Sequence, residues 1–96
     1  MINYRKLNSV IKQLADLKLR SKKSYPETTN IWKDIDQTVR GLQAAERVRV
    51  DDDDDTEDAL AELEDSVLQL EDVFETAKDK GNAARVRRLI DMIYDI

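Results

Sequence analysis

Between residues 60 and 77 the apolar side chains Leu60, Leu63, Val67, Leu70, Phe74 and Ala77 recur at steps of 3, 4, 3, 4 and 3. That spacing returns each side chain to one stripe of an α-helix. On a strand, where the period is two, it would scatter them over both faces. The stripe covers nearly three heptads, which is short for a coiled coil standing alone, so it must be buried against other segments or a second copy. The remaining composition agrees: 39% of the 96 residues are charged, and there are two Gly and one Pro. A β-fold would need many more turn residues. The expected fold class is all-α: one domain over residues 1–96, built as a small four-helix bundle or paired helical hairpins, with a dimer as the other way to close the seam.

Four helices are expected. The first runs over about residues 3–23, with Asn3 as N-cap and a stripe of Tyr4, Leu7, Val10, Ile11, Leu14 and Leu17. The second covers about 26–46. It starts at a capping box of Ser24 and Glu27, with Pro26 in the first turn, and carries Ile31, Ile35, Val39 and Leu42 beside Trp32. Gly41 lies inside it, where a missing side chain would allow close helix contact. An acidic linker, 47–55, separates the two halves. The third helix covers about 56–80 and ends at Gly81; Asn82 caps a fourth over 83–96, which turns Val86, Leu89, Ile90 and Ile93 inward.

Charge divides the chain. Residues 1–50 hold eleven Lys/Arg and five Asp/Glu, or +6; residues 51–96 hold five and sixteen, or −11, and the two sum to the net −5. Pairing of the basic first helix with the acidic third is the expected intramolecular outcome. The first helix, with Arg5, Lys6, Lys12, Lys18, Arg20, Lys22 and Lys23 against Asp16, resembles nucleic-acid or membrane-surface segments in its charge. The −11 half of the same small molecule would repel phosphates, so no direct nucleic acid and no membrane partner is expected.

Several kinds of chemistry are excluded. Without Cys or His there is no disulfide, no thiolate or imidazole ligand, and no nucleophile–imidazole pair. There is no Gly-rich phosphate loop, so neither an enzyme nor a cofactor is expected. No apolar run approaches the roughly 18 residues of a membrane span, and the start lacks a secretion signal, which points to the cytoplasm. The Asp run tests as a twelve-residue calcium loop: Asp51, Asp53, Asp55 and Glu57 take positions 1, 3, 5 and 7, and Glu62 takes position 12. Thr56 stands where such a loop wants Gly, and Asp58 where it wants an apolar residue. A hydrated linker with no metal is the expectation. The cluster Glu71, Asp72 and Glu75 lies beside the seam and reads as a solvated face, not a two-helix metal site.

What remains is the acidic array. Glu57, Glu64 and Glu71 repeat every seven residues, and Asp58, Asp65 and Asp72 repeat beside them, with Glu62 and Glu75 widening the face. Eight carboxylates over about 27 Å of helix is one per roughly 3.4 Å, near the charge density of one DNA strand. The expected site is a partner-binding face made of Glu57, Asp58, Glu64, Asp65, Glu71, Asp72 and Glu75 and of the preceding Asp51, Asp52, Asp53, Asp54 and Asp55. The expected function is non-catalytic: a protein–protein interaction or inhibitor protein whose acidic face meets a basic protein partner. Two alternatives stand beside it. One is a DNA mimic that blocks a nucleic-acid-binding protein; in size and charge the chain is similar to phage-encoded inhibitors. The other is a structural subunit, such as a homodimer. Residues 74–93, with Gly81 at the turn, resemble a single helical hairpin of the tetratricopeptide type, without that repeat's aromatic and small-residue signature and without the further repeats a solenoid needs.

Overall fold

The computed structural model describes residues 2–48 and 54–96. Four helices make up the fold: α1 (Tyr4–Ser21), α2 (Thr29–Arg47), α3 (Asp54–Thr76) and α4 (Lys80–Tyr94), with a 3-10 turn at Pro26–Thr28 leading into α2. No strand is present among the described residues, and the all-α expectation holds. None of these helices is long and apolar enough to cross a membrane.

Local chemistry sets the boundaries. The Asn3 side chain accepts the Lys6 backbone N–H at 3.1 Å and starts α1, as its position implies. The Ser21 hydroxyl donates back to the Leu17 carbonyl at 2.8 Å where α1 ends. The capping box at Ser24 and Glu27 does not form. Ser24 donates its backbone N–H to the Ser21 carbonyl at 3.1 Å instead, and Tyr25 precedes Pro26 with no side-chain cap. Pro26 does open a helical turn, but one of 3-10 geometry, so α2 proper begins at Thr29 rather than at residue 26.

The α3–α4 connection departs further from expectation. Helix α3 stops at Thr76, not near Lys80. The Asp79 N–H donates to the Phe74 carbonyl at 2.9 Å, and the Lys78 N–H to the Glu75 carbonyl at 3.0 Å. These crossed bonds form a Schellman motif, which requires a left-handed residue, and Lys78 takes that role at φ 60°. The Asp79 side chain then accepts the Asn82 N–H at 3.1 Å and caps α4. Gly81 and Asn82 therefore lie inside α4 and are neither stop nor cap. Ala77, the last step of the predicted seam, is exposed beyond the end of α3.

The rest of the seam is the centre of the molecule. Leu63, Val67, Leu70 and Phe74 are fully buried, with Leu60 half-buried at their end of the row. Helix α3 packs along its length on both α2 and α4, and α4 packs on α1; α1 and α2 meet only sparingly. Side chains from all four helices close the core: Leu7, Val10 and Leu14 from α1, Trp32, Ile35 and Leu42 from α2, and Val86, Leu89 and Ile90 from α4. At 23 residues α3 is about 34 Å long, which accounts for most of the 39 Å long axis. The basic α1 is thus not the neighbour of the acidic α3. The charge-paired arrangement expected from the sequence is replaced by one in which packing puts α4 between them.

Two turns share one end of the bundle and are tied together. The Tyr25 hydroxyl donates to Asp79 at 2.7 Å, and its ring meets Phe74 edge-on, with centroids 5.0 Å apart at 81°. At the other end the Asn3 N–H donates to the Ile96 carbonyl at 3.1 Å. Gly41 does not serve a close helix contact: it is exposed, and a Cβ built there would meet nothing within 4 Å.

Two substitutions follow. Gly41→Ala should add about 1 kcal/mol, because the helix gains propensity and loses no contact. Lys78→Gly should add about 1 kcal/mol by relieving the left-handed backbone. Each should raise the melting temperature by about 4–8 °C for a chain of this size, read by circular dichroism on heating. The sites are far apart, so the gains should add.

Candidate interaction surface

The carboxylates of α3 divide between two sides of the helix. Side chains at 58, 65 and 72 point away from the buried stripe and are exposed. Glu62 is exposed on the α2 side of that row. There it lines an open groove with Asp34, Asp65 and Ser66, and Gly41 forms part of the wall. The other row lies against α4. The Glu71 side chain is only 13% exposed and accepts from the Arg87 guanidinium at 3.5 Å. Glu64 accepts a hydrogen bond from the Tyr94 phenol, and this bond is the main reason the phenol's pKa stands above 10.0. Glu57 and Glu75 stay exposed at the ends of the same flank.

A single water-facing array of Glu57, Asp58, Glu64, Asp65, Glu71, Asp72 and Glu75 is therefore not what the fold builds. Glu64 and Glu71 are turned toward α4, and Asp58, Glu62, Asp65 and Asp72 form the open face. The reason is angular. Rows seven apart run parallel to the seam; the Asp row lies on the back of the helix and the Glu row on the flank that α4 covers. Asp51, Asp52 and Asp53, and the side chains of Asp54 and Asp55, lie outside the described residues.

Among the described residues, no basic side chain forms an ion pair on the open face. Among the described residues the ion pairs are Lys6–Asp95 at 4.0 Å, Lys18–Asp36 at 2.7 Å and Arg87–Glu71 at 3.5 Å. None involves Asp58, Glu62, Asp65 or Asp72. Much of the basic charge gathers around α1, where Arg20 joins Arg85 and Arg88 across the α1–α4 junction, with Asp16 the one acid among them. The molecule is polar from one side to the other.

The geometry bears on the metal readings as well. Helix α3 is already formed at Asp54, so Asp55, Glu57 and Glu62 stand on a helix and cannot follow the path of a calcium loop. Among the described residues no three acidic side chains converge as a metal site would require. Glu71 and Asp72, adjacent in sequence, point to different sides of α3.

Asp79 is one acidic residue whose structural part sequence reasoning missed. Its carboxylate accepts from the Tyr25 hydroxyl, the Asn82 backbone N–H and the Asn82 side-chain amide at 2.8 Å. The Tyr25 bond, followed by the Asn82 backbone bond, holds its pKa below the ordinary 3.8, and the same bond raises that of Tyr25. The available signal was an Asp three residues before Asn82, directly ahead of an amphipathic stretch. Comparison of the chain with family models, with curated proteins and with solved structures finds no match.

The depressed Asp79 pKa carries a pH signature. Its stabilising bonds are fully present above the unfolded carboxylate value and are lost as pH falls through the lower folded value. Asp79→Asn should destabilise the protein at neutral pH and flatten the acid side of its stability–pH curve, measured by urea unfolding between about pH 2 and 7. Phe74→Ala, which strips the ring under Tyr25, should cost about 3–5 kcal/mol at any pH in that window.

Proposed function

We propose that this is a non-catalytic binding protein that offers the outer face of α3, centred on Asp58, Glu62, Asp65 and Asp72, to a basic surface on a protein partner. The observation that carries this reading is the separation of α1 from α3. The basic helix packs elsewhere, and among the described residues no base pairs with the acidic face, which is open to solvent. A same-sign face of this kind steers a basic partner and speeds encounter more than it adds affinity. It is also carried on the best-buried helix, so its side chains start from a fixed backbone.

The division of the array favours an ordinary protein contact over imitation of DNA. Asp58 to Asp72 spans about 21 Å and presents four fully outward carboxylates, one per roughly 5 Å. That is sparser than one strand of a duplex, which carries one charge per about 3.4 Å. Occupation of a nucleic-acid cleft remains the competing reading, and the experiment below separates the two.

The test is affinity capture on the immobilised protein at about 50 mM and about 500 mM salt, with and without duplex DNA. The expected result is a basic protein retained at low salt, released at high salt and unaffected by DNA. The combined Asp58→Lys, Asp65→Lys and Asp72→Lys variant should lose it, and a Glu64→Gln, Glu71→Gln variant should keep it. Retention at high salt, or retention by the Lys variant, would refute the assignment. Displacement by DNA would transfer it to mimicry.

A further inference from the structure

We infer that the open seam between α1 and α2 is a docking groove for an acidic amphipathic helix supplied by another protein. This inference rests on a different face from the α3 assignment and stands or falls without it. The groove has a volume of about 430 Å³ and is walled by Ile11, Leu14 and Leu19 from α1 and by Trp32, Ile35 and Val39 from α2. Its existence follows from the packing order. Helices α3 and α4 take up the inner stripes of α1 and α2, and the residues left over face each other across a gap that neither helix closes.

Three observations point to an occupant. Leu19 is 80% exposed and lines the groove beside Ile11 and Leu14, so it extends the apolar wall outward to solvent. Trp32 is only 3% exposed, yet its indole N–H has no acceptor among the described residues. That N–H is itself buried, so what Trp32 offers an occupant is its ring at the groove wall and not the donor. The apolar wall on α1 also runs from Ile11 to Leu19, about 12 Å, a little over two helical turns. That matches a helix anchored at i, i+3 or i+4, and i+7.

Charge says which helix fits. Lys22 lines the groove and Lys12 flanks it on α1; Lys33 and Arg40 stand seven apart on the outer side of α2, and all four are exposed. The one acid in the groove wall, Asp36, is held by Lys18 at 2.7 Å across the opening. Asp34 points to the α3 side, away from it. A helix with an apolar stripe bordered by Glu or Asp would bury the first and pair with Lys22 at the groove and with the exposed bases beside it.

A second copy of the chain does not meet that description. Its acidic helix, α3, keeps its leucines inside; the large apolar side chains exposed among the described residues are Leu19, Val48 and Tyr94. A seam-to-seam dimer would oppose basic rims of like charge.

Trp32 is the protein's one tryptophan and reports on the groove directly. The probe is a tryptophan-free, helix-constrained peptide of about 15 residues, with leucines at i, i+3 and i+7 and glutamates on both flanks. A matched peptide carries lysines in place of the glutamates. The glutamate peptide should change Trp32 emission saturably, at least about tenfold more tightly than the lysine peptide, and less tightly as salt rises. Leu19→Glu, at an exposed position that leaves the core intact, should weaken it by about tenfold or more with helicity and melting temperature unchanged. Four results would overturn the inference: emission unmoved at millimolar peptide, equal response to both peptides, full binding by Leu19→Glu, or a dimer of the chain alone in sedimentation that Leu19→Glu dissolves.

Discussion

Burial of the α3 stripe on two sides at once governs the rest of this structure. Leu63, Val67, Leu70 and Phe74 are wholly inaccessible because α2 covers one flank of the helix and α4 the other. Each buried aliphatic or aromatic side chain is worth about 1.5–3 kcal/mol, whereas an exposed ion pair is worth about 1 kcal/mol at most. With that ratio, apolar stripes choose the neighbours and charges take what is left. Helix α1, deprived of contact with α3, settles on α4. The charge separation of the sequence becomes a charge separation in space, with the acids of α3 on one side of the bundle and the bases of α1 on another.

This ordering explains which parts of the fold were legible in the sequence. The seam was legible because period is a property of the helix itself, and the Asn3 cap because it acts within one turn. The expected pairing of α1 with α3 failed because it weighed exposed charges above packing. The turn after α3 was misplaced for a different reason. Gly81 is the residue type that a left-handed stop prefers, and Ala77 happened to continue the 3–4 spacing. The chain instead stops at Lys78, where Asp79 can both cap α4 and receive the Tyr25 hydroxyl. The gain from that tertiary bond depends on Tyr25, 54 residues away, and no local pattern announces it.

The candidate surface was half legible for a related reason. A seven-residue repeat places carboxylates in rows but does not say which row a neighbouring helix will cover. Glu64 and Glu71 flank the seam whereas Asp65 and Asp72 lie opposite it, and the position of α4 decides that the flanking row is the one covered. The groove between α1 and α2 left a fainter trace. Leu19 lies off the stripe of Leu7, Val10, Leu14 and Leu17, and Val39, partly buried at the edge of the core, lines the groove as well. An apolar face too wide for its contacts is the sequence mark of a bundle with an unfilled side.

The same physics limits what the charge separation can do between copies of this protein. An acidic side and a basic side on one molecule invite head-to-tail association, and a contact of that kind does not close on itself. Lasting association needs apolar burial at its centre, with charge at the rim. The outer face of α3 offers Asp58, Asp65 and Asp72 and no large exposed apolar side chain, so copies that meet through it gain only screened attraction. The basic seam has the apolar centre but, among the described residues, no acid-rimmed, leucine-striped counterpart. Each of the two faces lacks what a lasting contact with the other would need, so the charge separation alone does not hold copies of this chain together.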